Sequence, residues 1–244
     1  QQLPLKDNYS RLIIGDSIKE LIEKGFLSAA TTYTYDVHLG GLKIGMDGDY
    51  TVSSLDRIYS AYEMQERLIS TYREKSLGKK TLIFNSSIVT SKQVGKLFEE
   101  AGFEIRHLDS TNNKQERKDT LEWFKETPNA IITSVGILTT GFDEPTVETI
   151  ILNRATRSLT LYHQMVGRGS RKLDYKDQFT IIDLGNNARR LGLWQDYIDW
   201  QDVFVNPERF LEHLVEREER LDKGLMYKLP EEVKKHFPKT ENFD

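Results

Sequence analysis

From Lys80 onward the chain alternates short apolar runs with helical patterns, and this feature constrains the fold most. The runs lie at 81–84, 104–107, 130–133, 149–152 and 179–182. Between them, 91–101, 114–126 and 158–170 carry apolar residues at helical spacing. Strand–helix alternation of this kind predicts an α/β fold: a parallel sheet with helices on both faces. Ligands of such sheets sit at the carboxyl ends of the strands. The loops after Phe84, Thr133, Leu152 and Ile182 are therefore the expected place for a site.

The flanking segments read differently. Ser17 and Glu20 have capping-box spacing and Gly25 follows, which predicts a helix over 17–24. Residues 27–50 are rich in threonine, tyrosine and glycine, a pattern of strands and turns. Asp47-Gly48-Asp49 reads as a turn, since the other acidic ligands of a 12-residue calcium loop are missing. Leu55, Ile58, Tyr59, Tyr62, Leu68, Ile69 and Tyr72 predict one long amphipathic helix, ended by Gly78. Phe210, Leu211, Leu214 and Leu221 line one side of a charged helix over 208–221, and the last 15 residues are polar. Three units are expected: 1–52, 53–205, and a helical extension over 206–244.

Composition narrows the function. A chain of 244 residues can bury a sizeable core without staples. The absence of cysteine excludes disulfides, thiolate zinc sites and a thiol nucleophile. No apolar run reaches the ~20 residues of a membrane span, and no export signal is visible, so a cytoplasmic protein is expected. The net charge of −4 argues against nucleic-acid binding by bulk charge but leaves room for a local basic groove. The five histidines have no ligand spacing, so no metal site is expected. His163 reads as a packing or hydrogen-bonding residue.

Three segments carry chemistry. In Gln164-Met165-Val166-Gly167-Arg168-Gly169-Ser170-Arg171 the arginines are three apart, which is one helical face. Guanidinium suits phosphate through its planar fork and permanent charge; a solvated basic helix end is the plainer alternative. Two glycines there cost a helix ~1 kcal/mol each, so they suggest close approach of another surface. In Thr139-Thr140-Gly141-Phe142-Asp143-Glu144-Pro145, Gly141 would let backbone approach a ligand and Asp143 could accept from a hydroxyl or a metal-bound water; alone it could be a polar turn. In 81–87 a strand runs into Asn85, Ser86 and Ser87, which could hold phosphates or cap a helix. Arg154 and Arg157 read as a second basic spot, functional or simply a surface cluster. Asp183 ends an apolar strand and reads as a cap.

Taken together, the order of these segments resembles the second RecA-like domain of superfamily 2 helicases. Residues 81–87 look like motif IV, Glu116-Arg117 like the short motif before the second helix, and 131–157 like motif V and its continuation. Residues 164–171 match the motif VI pattern Q-x-x-G-R-x-x-R in full. The resemblance spans about residues 9–205, and its nearest branch looks like bacterial DNA repair helicases and restriction-enzyme motors. It implies an ATP cleft shared with a first RecA-like domain. Arg171 and Arg168 would be arginine fingers, with Arg171 favoured at the γ-phosphate, and Gln164 would position phosphate or water. Gly141 and Asp143 would meet the nucleotide or couple it to nucleic acid. Asn85, Ser86, Ser134 and Thr139 would touch nucleic acid, with double-stranded DNA favoured.

This sequence has no G-x-x-x-x-G-K-[ST] loop and no D-E-x-H after a strand. In the family both belong to the first domain, with most magnesium ligands. The chain is therefore expected to be the carboxyl half of a longer protein and inactive by itself. Other readings are a non-catalytic RecA-like interaction module, an RNA-directed helicase, and an α/β enzyme acting on a small anion, which would lack any nucleophile–base pair.

Overall fold

All five apolar runs form strands, each within one residue of its expected ends. A computed structural model describes residues 5–37, 39–139 and 141–222. In chain order the elements are α1 (Leu5–Asn8), α2 (Ile18–Glu23), β1 (Ala29–Thr34), α3 (Val52–Tyr59), α4 (Tyr62–Lys75), β2 (Thr81–Asn85), α5 (Ile88–Glu100), β3 (Ile105–Leu108) and α6 (Lys114–Glu126). They continue as β4 (Ile131–Ser134), β5 (Thr149–Asn153), α7 (Leu159–Val166), β6 (Gln178–Asp183), α8 (Asn187–Leu191), α9 (Trp200–Val205) and α10 (Pro207–Asp222).

The six strands make one sheet in the order β1-β6-β5-β2-β4-β3, with every pair parallel. Alternate residues of a strand face opposite sides, and here both sides are buried. Leu82, Phe84, Ile132, Ile150, Leu152 and Ile181 pack with Phe124 of α6 and with Tyr162, Met165 and Val166 of α7. Ile83, Ile131, Ile151 and Ile182 pack on the other side with residues of α3, α4 and α5. Continuous apolar runs are what a strand covered on both faces requires.

Two elements depart from the sequence expectation. The long helix is two, because Ser60 closes α3 and Ala61 opens α4 in an extended conformation. The break buries Tyr59 while leaving Tyr62 at 73% exposure, so one apolar stripe does not run through both. The helix over 158–170 ends at Val166; beyond it, N–H groups of Arg168, Gly169 and Ser170 reach back three residues. Residues 27–50 supply β1, which is the sheet edge and pairs with β6. The sheet thus draws on both sides of the expected boundary at residue 52. Residues 223–244 lie outside the described residues.

The Ser17–Glu20 capping box forms at α2 as predicted. Asp183 caps the turn into α8, accepting from the N–H groups of Gly185 and Ala188 and the Asn187 amide.

Candidate functional site

Motif VI comes together around the end of α7. Ser158 caps the start of that helix, and Gly167 closes it. The chain then turns so that Ser170 O accepts from Ser28 N at 2.7 Å and Arg171 bridges to Leu27. Leu27 and Ser28 immediately precede β1, so the arginine turn lies beside the amino ends of the strands. The sequence reading looked for ligands in the loops at the carboxyl ends of the strands, whereas this turn lies at their other end. The loop over 135–148 has to travel from the carboxyl end of β4 back to the amino end of β5, and it carries Asp143 down to the arginines.

A pocket of about 190 Å³ results, lined by Phe142, Asp143, His163, Gln164, Gly167, Arg168, Ser170 and Arg171. The two arginines do different things in it. Arg168 donates Nη1 to Phe142 O and Nη2 to Thr139 O, the latter at 2.6 Å, and so props the motif V loop. Its Nε is buried without a partner among the described residues. Arg171 is 54% exposed at its side chain and donates Nε to Asp143 Oδ1 at 3.0 Å. The helical stagger expected for the pair is therefore replaced by a turn that aims one guanidinium at backbone and the other outward.

Glycine serves distinct needs here. Gly141 sits at φ +69°, a left-handed conformation open to glycine. A Cβ on Gly169 would meet the Phe179 ring at 2.4 Å and Ile150 at 3.0 Å, so its lack of a side chain lets the turn lie against β5 and β6.

His163 forms one wall. Its ring meets Tyr162 and Trp200 edge-on, and burial pushes its pKa down to about 4. It is neutral near pH 7, which leaves the positive charge of the pocket to the arginines. Burial also lowers the Arg168 pKa, with the Arg171 charge acting the same way.

The residues expected at nucleic acid fall in two places. Asn85, Ser86 and Ser134 sit together at the carboxyl ends of β2 and β4 and are buried. Asn85 Nδ2 donates to Thr133 Oγ1, and Asn85 Oδ1 accepts from Asn153 Nδ2, both at 2.8 Å. Ser86 Oγ donates to Asp56 at 3.2 Å, while Ser134 Oγ has no partner among the described residues. Thr139 belongs with the arginine pocket, through its carbonyl on Arg168.

Arg154 and Arg157 form neither a free basic spot nor a surface cluster. Arg154 lies 3.8 Å from Asp49, and Arg157 pairs with Glu218 at 3.1 Å and donates to Gly48 O. Thr156 Oγ1 and Arg157 N also bond Asp49, and Tyr50 donates to Glu218. These side chains latch the 48–50 turn and α10 onto the loop after β5. Local sequence missed this because Asp49 and Glu218 come from far along the chain. It also missed Ser170 and the role of Lys176, which carry no recognisable spacing.

Residues 61–172 match the helicase conserved C-terminal domain. Over that stretch the chain is similar to this domain. It resembles the second RecA-like half of a superfamily 2 helicase, and motifs V and VI frame its arginine pocket. The domain is similar to the Saccharomyces cerevisiae protein IRC3, named as an ATP-dependent helicase. Identity is 28% over 230 residues, covering 88% of this chain and 33% of that protein. A 51.5 kDa protein of a Lactococcus phage is 28% identical over 200 residues, or 82% of this chain and 44% of the phage protein. The chain thus spans less than half the length of these relatives. Among solved structures, a fragment described as an HsdR subunit of a type I restriction enzyme from Vibrio vulnificus shares the fold. The TM-score is 0.62 at 22% identity, over 80% of this chain and 41% of that one.

Among the described residues no helix is long and apolar enough to cross a membrane.

Proposed function

We propose that this chain is the second motor domain of an ATP-dependent DNA helicase or translocase. The observation that carries the reading is the pocket at the end of α7. An exposed Arg171 is held there by Asp143, beside a loop that Arg168 props in place. The donors suit phosphate oxygens: Arg171 is accessible and Gln164 lines the same pocket, while Arg168 holds the loop and its buried Nε has no partner among the described residues. Asp143 is the sole acid among the lining residues.

In this reading the pocket is half of an ATP cleft, and a first RecA-like domain of the same protein supplies the phosphate loop, most magnesium ligands and the water-activating acid. ATP with magnesium brings the phosphoryl group to be transferred to water. Arg171 leaves Asp143 and stabilises charge on that group; such a finger contributes 10³–10⁵ in rate. Arg168 acts at close range by holding Gly141, Phe142 and Asp143 toward the nucleotide, and Gln164 orients phosphate or water. DNA crosses the carboxyl ends of β2 and β4, near Asn85, Ser86 and Ser134. Because Asn85 and Ser86 are both engaged internally, Asn85 with Thr133 and Asn153 and Ser86 with Asp56, the main chain beside them makes the contact, and Thr139 couples the two sites. A role in DNA repair or restriction follows from the branch resemblance.

The test is nucleic-acid-stimulated ATP hydrolysis by the full-length protein, with DNA and RNA compared and Arg171→Ala and Arg168→Ala assayed beside it. Stimulation by DNA that either substitution abolishes, with the fold intact, supports the reading. A full-length protein that hydrolyses no ATP with either nucleic acid overturns it in favour of an interaction module. Hydrolysis by this chain alone would overturn the shared cleft.

A further inference from the structure

Lys176 is buried, at 4% exposure, just before β6. An ammonium has three protons to donate, and here they meet three main-chain carbonyls. Pro145 O lies at 2.5 Å, Val147 O at 2.8 Å and Gly169 O at 3.0 Å. No carboxylate is within ion-pair distance among the described residues. Burial pushes its pKa down to about 8, against the more distant pull of Glu148 and Glu144. Taking an ammonium out of water without a touching counter-ion is costly. A chain that needed only to fill this space could do so with an apolar side chain.

What the ammonium joins gives it a role. Pro145 and Val147 belong to the loop that carries Asp143. Gly169 lies between Arg168 and Arg171. The same turn is gripped from its other side by Ser28, whose hydroxyl lies 2.8 Å from Lys176 O and 3.2 Å from Arg171 O. Lys80, also buried, spends its ammonium on one carbonyl, that of Lys125; its main chain meets Glu148 at the end of the loop, and among the described residues its ammonium joins neither the loop nor the arginine turn.

We propose that Lys176 is a positioning residue, whose ammonium clamps the Asp143 loop to the Arg168–Arg171 turn and thereby sets where the Arg171 guanidinium stands. The inference rests on the ATP-motor reading for its kinetic consequence and on geometry alone for the clamp.

Two measurements on the full-length protein test it, using Lys176→Met, which keeps length and volume but donates nothing. The first is amide hydrogen exchange. Faster exchange over 141–147 and 167–171, with β2 and β4 unchanged, is the expected result; unchanged exchange in both loops overturns the clamp. The second is a double-mutant cycle on DNA-stimulated ATP hydrolysis, below the melting temperature of every variant. Small misplacements near reacting groups cost up to ~10²-fold, so Lys176→Met should lower kcat at least tenfold and leave the KM for DNA unchanged. In an Arg171→Ala background it should cause little further loss, because its effect passes through that arginine. A loss that multiplies with that of Arg171→Ala marks Lys176 as a general staple and overturns the proposal. If the parent protein hydrolyses no ATP, the motor reading fails, and the exchange result alone decides the clamp.

Discussion

Arg171 Nε stands 3.0 Å from Asp143 Oδ1, and both side chains are more than half exposed. A pair so wetted contributes about 0–1 kcal/mol to stability. Arg171→Ala should therefore leave the melting temperature within a few degrees of the parent. It should also cut DNA-stimulated hydrolysis by the full-length protein about 10³-fold or more. Thermal unfolding and steady-state kinetics on one preparation separate the two effects.

Arg168 presents a different expectation, since its two Nη groups hold separate carbonyls of one loop. A lysine ammonium is a point charge and cannot reproduce that fork. Arg168→Lys is expected to lose about 1–3 kcal/mol, the cost of leaving such groups unpaired. In kcat it should resemble Arg168→Ala more than the parent. Urea unfolding and the same ATPase assay check both parts.

At Gly169 the constraint is space. The added methyl of Gly169→Ala would stand 2.4 Å from Phe179. Overpacking of this kind costs about 1–3 kcal/mol. Phe179→Leu in the same chain should recover part of that loss, which a double-mutant cycle by chemical denaturation would read. Equal losses with and without Phe179→Leu would contradict the contact.

The half-buried His163 gives a signed pH dependence. Its folded pKa, near 4, lies below the ordinary 6.5, so between these values the unfolded chain binds more protons. Stability from this group is full above pH 6.5 and is lost as the pH falls toward 4. The loss is on the order of 3 kcal/mol. His163→Phe should flatten that part of the stability–pH curve, measured by urea unfolding at several pH values.

Glu218 anchors α10 through Arg157 and Tyr50, with both members of the ion pair largely buried. Removing one partner of a buried pair costs about 3–5 kcal/mol. Glu218→Ala should destabilise by that order, and amide exchange over 207–222 should rise first. Unchanged exchange there would mean that the helix is held by other contacts.

Much of this architecture can be read from residues alone, and the exceptions share a cause. The apolar runs of β2, β4 and β5 announce themselves because both faces of the sheet are covered. β1 does not, since Ala29–Thr34 lies at an edge and only Thr32 is buried. The motif VI arginines are recognisable by spacing, and the glycines beside them signal a close approach, but that the surface approached is Phe179 is set by tertiary contact. Periodicity ran Tyr59 and Tyr62 together because a break between helices costs only one extended residue, Ala61. Arg154, Arg157 and Lys176 were illegible for a common reason: their partners are set by tertiary contact.

The pairing of β1 with β6 has a consequence for how the molecule is made. These strands are roughly 150 residues apart in sequence, and pairings of such separation form late, after closer contacts have reduced the entropy of loop closure. Leu27 and Ser28 reach the arginine turn only once β1 has docked. During synthesis, then, the sheet centre can assemble while the cationic turn still lacks one of its walls. In this domain the arginine turn gains its Leu27 and Ser28 neighbours only once β1 has met β6.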